Sequence, residues 1–287
     1  MLFLVLLATI FFAGKSLAAT PVWLTLPATP TLPGSVDNAK VDINGVKLWW
    51  GNYGGTVGSS DKLPVVFIHG GLGYSAYFGD VIKLLMPNRT VIAVDRRGHG
   101  RSTMNDVPFT FDMFASDTHD LLSELGITKA AWVGWSDGAA TTLAALMNTT
   151  IASTIDRAFV FAGFHDVSST NSSWPSTDMY STFVSRCQTE YATLQPDGNF
   201  TKFGIAVATL ENSQPTWTAS DLAKITLGSK VTIAGAQYDE AVNLDEAEIL
   251  NGMVKGSRLV TLTNVSHFAP VQDPQQFAEQ VEVFLDL

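Results

Sequence analysis

Six short apolar runs, Val65–Ile68, Thr90–Val94, Ala130–Val133, Ala158–Phe161, Val231–Ala234 and Leu259–Leu262, recur along the chain without alternating polar and apolar residues. A strand with one wet face alternates, whereas a strand covered on both faces does not, so these runs read as a parallel sheet buried under helices. Between them lie segments with apolar residues at three- and four-residue spacing: Tyr77–Met86, Phe111–Leu125, Ala139–Met147, Asp245–Val254 and Pro274–Leu285. These read as the covering helices, giving a βα repeat with helices on both faces. Ahead of the repeat, Lys40–Ile43 and Val46–Trp50 flank Asn44-Gly45, the dipeptide of a two-residue hairpin, so an antiparallel pair opens the sheet.

One interval breaks the rhythm, because about seventy residues separate Phe161 from Val231, too many for one helical crossover. The stretch from about 164 to 225 is rich in Ser, Thr and Asn, holds helix-like segments at Met179–Ala192 and Phe203–Leu210, and reads as a small helical lid over the sheet's C-terminal edge. Residues 19–38 read as an extended arm whose prolines block helix and central strand, with no chemistry of its own, and 39–287 as one domain with the lid inserted. Residues 1–18 read as a cleaved signal peptide: an eleven-residue apolar run from Leu2 to Phe12, too short to span a bilayer, then small residues at Ser16 and Ala18. Sequons at Asn88, Asn148, Asn171, Asn199 and Asn264 number five, where roughly two are expected by chance, and support a secreted glycoprotein. A glycan on Asn264 would crowd His267, so that sequon is expected to be empty.

With 46% hydrophobic and 15% charged residues the composition excludes disorder, and a net charge of −10 with scattered basic residues argues against nucleic acid and anionic membranes as partners. The single cysteine, Cys187, excludes a disulfide and a cysteine-built metal site, and reads as a buried thiol. The composition leaves the oligomeric state open.

The chemistry concentrates at Gly134-Trp135-Ser136-Asp137-Gly138, which follows the run Ala131-Trp132-Val133 and precedes an Ala-rich helix. A sharp strand-to-helix turn lifts a serine oxygen above the sheet, flanking glycines make room for the crowded backbone, and the helix N-terminus favours developing negative charge. A serine needs a base, and the base needs a carboxylate, in the chain order serine, acid, histidine for this kind of sheet. Of five histidines only His267 follows the last predicted strand; His69, His99 and His119 precede the serine, and His165 opens the insertion. Asp239, at the tip of the penultimate strand, is the first choice of acid, with Glu240 and Asp166 as alternatives. The amides of Asp137 and of Gly71, or else Leu72, in His69-Gly70-Gly71-Leu72-Gly73 would hold the oxyanion. Trp135, Tyr74, Phe164, His165 and Phe268 are expected to wall the substrate site and favour a hydrophobic ester or lactone.

The stretches IHGGLG at 68–73, VDRRGHGRS at 94–102, VGWSDG at 133–138, AGAQYDEAV at 234–242 and NVSHFAPVQDPQQF at 264–277 together resemble the α/β-hydrolase superfamily, in its lid-bearing serine-hydrolase branch. The resemblance runs from about Lys40 to Leu285 and implies Ser136 as nucleophile, Asp239 as orienting acid, His267 as base, Gly71 and Asp137 as oxyanion donors, no cofactor, and a structural turn over 95–102. It leaves ester, lactone, C–C bond and peptide open, although serine at 136 argues against dehalogenase or epoxide hydrolase chemistry, and Asp137 against an iminopeptidase. Two rivals stand beside it. A receptor-like homologue would bind without turnover; an NADP-dependent oxidoreductase would use the glycines at 71 and 73 with Arg96 and Arg97.

Overall fold

The computed structural model describes residues 20–56 and 62–287, so the signal-peptide reading of 1–18 lies outside the described residues. Eight strands form one sheet in the order β1-β2-β4-β3-β5-β6-β7-β8: β1 (Asp37–Ile43), β2 (Val46–Tyr53), β3 (Val65–Ile68), β4 (Val91–Asp95), β5 (Ala130–Trp135), β6 (Ile155–Phe161), β7 (Val231–Ala236) and β8 (Arg258–Leu262). The hairpin β1–β2 is antiparallel, β2 pairs antiparallel with β4, and the remaining strands run parallel. At the hairpin tip Asn44 and Gly45 both adopt positive φ, 48° and 79°, as the two-residue turn requires. Every residue of β3, β4 and β5 is buried, which is why those runs carry no alternation.

The helices are α1 (Gly79–Leu85), α2 (Phe111–Glu124), α3 (Asp137–Met147), α4 (Thr149–Ala152), α5 (Asp178–Leu194), α6 (Phe200–Glu211), α7 (Ala219–Leu222), α8 (Glu246–Met253), α9 (Ala269–Gln272) and α10 (Pro274–Leu285). One group (α1, α9, α10) packs together and another (α2, α3, α7, α8) packs together, on opposite faces of the sheet. Helices α5 to α7 form the insertion between β6 and β7.

The chain reverses its direction of winding at β3, which pairs with β4 on one side and β5 on the other. A crevice opens at such a switch point beyond the strands' C-terminal ends, and the loops after β3 and β5 therefore face each other there. The segment 95–102 is built as a buried turn: Asp95 accepts from Ser75 N at 3.0 Å and Arg101 N at 2.9 Å, while Arg97 grips Asp117 with two bonds of 2.7 and 2.8 Å. Arg96 and Arg97 are each only 2% exposed, so neither can meet a cofactor phosphate and the dinucleotide reading falls. Cys187 is buried against Tyr77 Oη at 3.7 Å, and burial pushes its thiol up, as suits a packing residue.

The arm does more than lie extended. It makes a 3₁₀ turn at Val22–Leu24, stacks Trp23 on Tyr238 with ring centroids 4.3 Å apart, and receives bonds from Arg186 at the carbonyls of Leu26 and Pro27. Gln272 Nε2 donates to Thr25 O at 2.8 Å, so the arm reaches the segment that follows His267. The arm ends two residues earlier than its spacing implied, because β1 begins at Asp37 and pairs with Asn52.

Candidate active site

Ser136 sits between β5 and α3 with φ 57° and ψ −121°, a conformation that costs an L-residue of order 1–3 kcal/mol and must be imposed by its surroundings. The imposing contacts are visible. Ser136 N donates to Phe161 O at 3.0 Å, and α3 approaches β3 so closely that a Cβ on Gly138 would overlap Ile68 O. A Cβ on Gly134 would meet the Gly138 carbonyl, so both glycines of the motif are demanded by the turn. The amide of Asp137, in the first turn of α3, has no acceptor inside the helix and is free for an anion. Across from it, Gly73 N donates to Gly71 O at 2.6 Å around Leu72, whose φ is 56°, folding the loop after β3 back toward Ser136.

His267 follows β8 on a loop, is 5% exposed, and packs its ring 5.8 Å from that of Trp135. Its Nδ1 lies 3.1 Å from each carboxylate oxygen of Asp239, leaving Nε2 for another partner. Asp239 is itself oriented by the amides of Ala241 at 2.9 Å and Val242 at 2.8 Å, both donating to its Oδ1. Burial opposes a charged imidazole here, but Asp239, and then Glu240 and Asp137, outweigh it and raise the His267 pKa above its ordinary value. Glu240 does not touch the ring: its carboxylate accepts from His267 N at 3.0 Å and Ser266 Oγ at 3.1 Å, fixing the loop that carries the histidine. The neighbouring Gln272 completes this loop, accepting from Ser266 N at 2.7 Å and donating to Ser266 Oγ at 2.9 Å. Asp166 instead caps a 3₁₀ turn through Ser168 and does not meet His267.

Two cavities open on Ser136 and His267. The smaller, about 50 Å³, is walled by Trp135, Trp174, Phe183 and Phe268 beside Gly71 and Leu72. The larger, about 980 Å³, is walled by Phe164, Trp174, Tyr180 and Val242 but also by Asp166, Ser168, Asn171 and Asn243. Trp135 and Phe268 line the smaller cavity and Phe164 the larger, whereas Tyr74 and His165 line neither. Tyr74 faces Arg101 and Tyr77, and the His165 ring is bound to Glu246 Oε1 at 2.6 Å. A larger polar share of the wall than expected comes from the insertion and the loop after β7. His69 and His99 are fully buried, where desolvation pushes their pKa values down and keeps them neutral; His119 lies 3.3 Å from Thr154 Oγ1.

Trp174, Tyr180, Phe183 and Glu211 are site residues that sequence reasoning passed over. The aromatic ones lay in a stretch read only as a helical cover. Glu211 had one signal, a lone acid ending an otherwise uncharged turn, Val207-Ala208-Thr209-Leu210-Glu211, at the unfavourable end of the helix dipole.

Of the sequons, Asn88, Asn148, Asn199 and Asn264 are exposed. Asn171 is the exception, since its Nδ2 donates to Glu240 O at 3.1 Å and its side chain lines the larger cavity, so a glycan there would break the wall.

The model of the alpha/beta hydrolase family matches residues 65–280. Among curated proteins, a stretch of 116 residues is 39% identical to the serine hydrolase BPHL of Homo sapiens, covering 39% of this chain and 38% of that protein. A stretch of 83 residues is 37% identical to the sn-1-specific diacylglycerol lipase ABHD11 of Danio rerio, covering 28% of this chain and 26% of that protein. The chain therefore spans well under half the length of these curated relatives. Its fold is similar to that of the enol-lactonase from Burkholderia xenovorans LB400, with TM-score 0.68 and 18% identity over 87% of this chain and 100% of that one. Because the family match takes in every strand from β3 to β8 and the loops bearing Ser136, Asp239 and His267, this chain belongs to the alpha/beta hydrolase family.

Proposed function

We propose that this protein is a secreted serine hydrolase that cleaves a carboxylic ester or lactone through an acyl-enzyme on Ser136. The observation that carries the reading is the His267 ring, held by Asp239 through Nδ1 while its loop opens on the same cavity as the strained Ser136. In the proposed reaction Ser136 Oγ bonds to the carbonyl carbon as its proton passes to His267 Nε2. The carbonyl π pair moves onto oxygen between the amides of Gly71 and Asp137. Collapse restores the carbonyl, breaks the bond to the leaving oxygen, and His267 returns the proton to the alkoxide. Water then attacks the acyl carbon, gives its proton to His267, and releases the acid as Ser136 Oγ takes that proton back.

The unequal cavities divide the substrate. The smaller has room for about two carbon atoms, which suits a short acyl chain among Trp135, Phe183 and Phe268. The larger, with its polar wall, suits a bulkier alcohol portion that offers hydrogen bonds. The hydrophobic character expected of the substrate thus belongs to its acyl end. Secretion is proposed from residues 1–18 and from exposed sequons at Asn88, Asn148 and Asn199, with Asn171 removed from the set. Among the described residues no helix is long and apolar enough to cross a membrane.

Treating the wild type and Ser136→Ala with a fluorophosphonate tests nucleophile, base and oxyanion site together. The expected result is one adduct, on the peptide containing Ser136, lost in the variant. No adduct on a folded wild type would overturn the reading in favour of binding without turnover.

A further inference from the structure

Glu211 is the last residue of α6, and its side chain closes over the candidate oxyanion site: a Cβ on Gly71 would fall on Glu211 Oε1, with Asp137 Oδ2 only 3.0 Å from the same point. Two carboxyl groups therefore crowd one glycine. The cation in reach is Arg96, and it is already committed, with Nη2 donating to Gly70 O at 2.9 Å and lying 3.5 Å from Asp137 Oδ2. Among the described residues Glu211 has no ion-pair partner of its own, and Asp137 Oδ2 has no hydrogen-bond donor. The C-terminal end of α6 adds a partial negative charge at Glu211. Two anions and one cation in a buried site, with a developing oxyanion to come, would set like charges against the reaction.

We propose that Glu211 is a catalytic residue of this hydrolase site, its carboxyl O–H donating to the oxyanion beside Gly71. The assignment rests on the serine-hydrolase reading above. Burial first, then the nearby Asp137, pushes the Glu211 carboxyl well above the usual carboxylate range, with Arg96 opposing; burial also raises Asp137, which Arg96 and then His267 oppose. The proton therefore stays on Glu211 and Asp137 keeps the guanidinium. The charged or titratable groups facing Glu211 are Asp137 from α3, Arg96 from the turn after β4, Tyr180 from α5 and His267 from the loop after β8. Tyr180 is pushed up by burial and by Glu211 itself, so it stays neutral beside the acid. Loss of the Glu211 proton places a second negative charge, this one without a cation, against Gly71 and opposes the developing oxyanion.

The test combines two measurements on the full chain: the pH dependence of fluorophosphonate labelling at Ser136, and the infrared carbonyl stretch of protonated carboxyl groups. In the wild type, labelling should rise with pH through the titration of His267 and then fall, approaching about tenfold per pH unit above the Glu211 midpoint. Glu211→Gln should lose the alkaline fall and show a lower maximal rate, while Tyr180→Phe should keep the fall. The infrared difference between wild type and Glu211→Gln should contain one carboxylic acid band that disappears with the midpoint of the rate. An alkaline fall that persists in Glu211→Gln, or no band in the difference spectrum of a wild type that labels normally, would overturn the role of Glu211 alone. A wild type that never labels would instead overturn the hydrolase reading and the catalytic role together.

Discussion

Ser136, Asp239 and His267 stand on loops that leave β5, β7 and β8 within a few residues of the strand ends, whereas Trp174, Tyr180, Phe183 and Glu211 reach the same cavity from the insertion. The first set is fixed by the sheet's hydrogen-bond ladder and by backbone packing such as Gly138 on Ile68. The second is joined to the loop after β7 by one isolated bridge, Thr170 to Val242, and by the side-chain amides of Asn171 and Asn243, which donate to Glu240 O and Ser168 O, with no continuous ladder among the described residues. Rigid backbone suits groups that must hold a reacting atom within a fraction of an ångström, and looser packing suits groups that must let substrate pass. The two walls should therefore respond to substitution in different ways.

The largest expected effect lies on the sheet wall. Asp239→Asn should reduce ester turnover by about four orders of magnitude, because an amide presents an N–H to His267 Nδ1 and selects the wrong tautomer. Glu240→Gln should cost far less in rate. If kinetics with 4-nitrophenyl acetate show equal losses for the two, the division between ring-orienting Asp239 and loop-holding Glu240 is wrong.

On the insertion wall the effect should fall on selectivity. The wild type should prefer 4-nitrophenyl acetate over the hexanoate by about tenfold or more in kcat/KM, and Phe183→Ala should narrow that gap by enlarging the acyl niche. A variant that slows both esters equally would place Phe183 with the rigid set.

Smaller again is the structural cost of Glu240→Gln, which weakens two charge-assisted bonds, to His267 N and Ser266 Oγ. A loss of about 1–2 kcal/mol is expected, read as a fall of a few degrees in Tm. An unchanged Tm would show that the loop stands without it.

A last effect carries a sign. Glu211 holds a proton in the folded protein that it releases when unfolded, so its contribution to stability declines as pH rises above the ordinary carboxylate range toward its raised folded pKa. Glu211→Gln lacks that decline, and its Tm relative to wild type should climb between pH 5 and pH 8. A difference that is flat or runs downward would mean Glu211 is already ionised in the folded state.

The two walls also differ in how legible they were. Buried apolar runs marked β3 to β7, because a covered strand leaves its pattern in consecutive residues, whereas the run at β8, expected to be covered, lies mostly exposed at the sheet edge, where among the described residues no further strand packs beside it. The turn at Ser136 was legible because sterics demand both glycines locally, and Asp239 and His267 because sheet topology orders them after it. Glu211 was not, since what sets it apart is its contact with Gly71 and Asp137, far away in sequence. Trp23 on Tyr238 was hidden for the same reason, in an arm whose prolines spoke only of extension. His165 misled in the opposite direction: its place after β6 suggested substrate, but Glu246 on α8 takes the ring.

The bond from Gln272 to Thr25 joins positions 247 residues apart. A ribosome adding about 5–20 residues per second needs roughly 12–50 s to cover that span. For all of that time the clasp waits at the emerging end while His267, just ahead of Gln272, has yet to be made. The arm's bond and the candidate site are thus completed together, once the segment from His267 to Gln272 has been made.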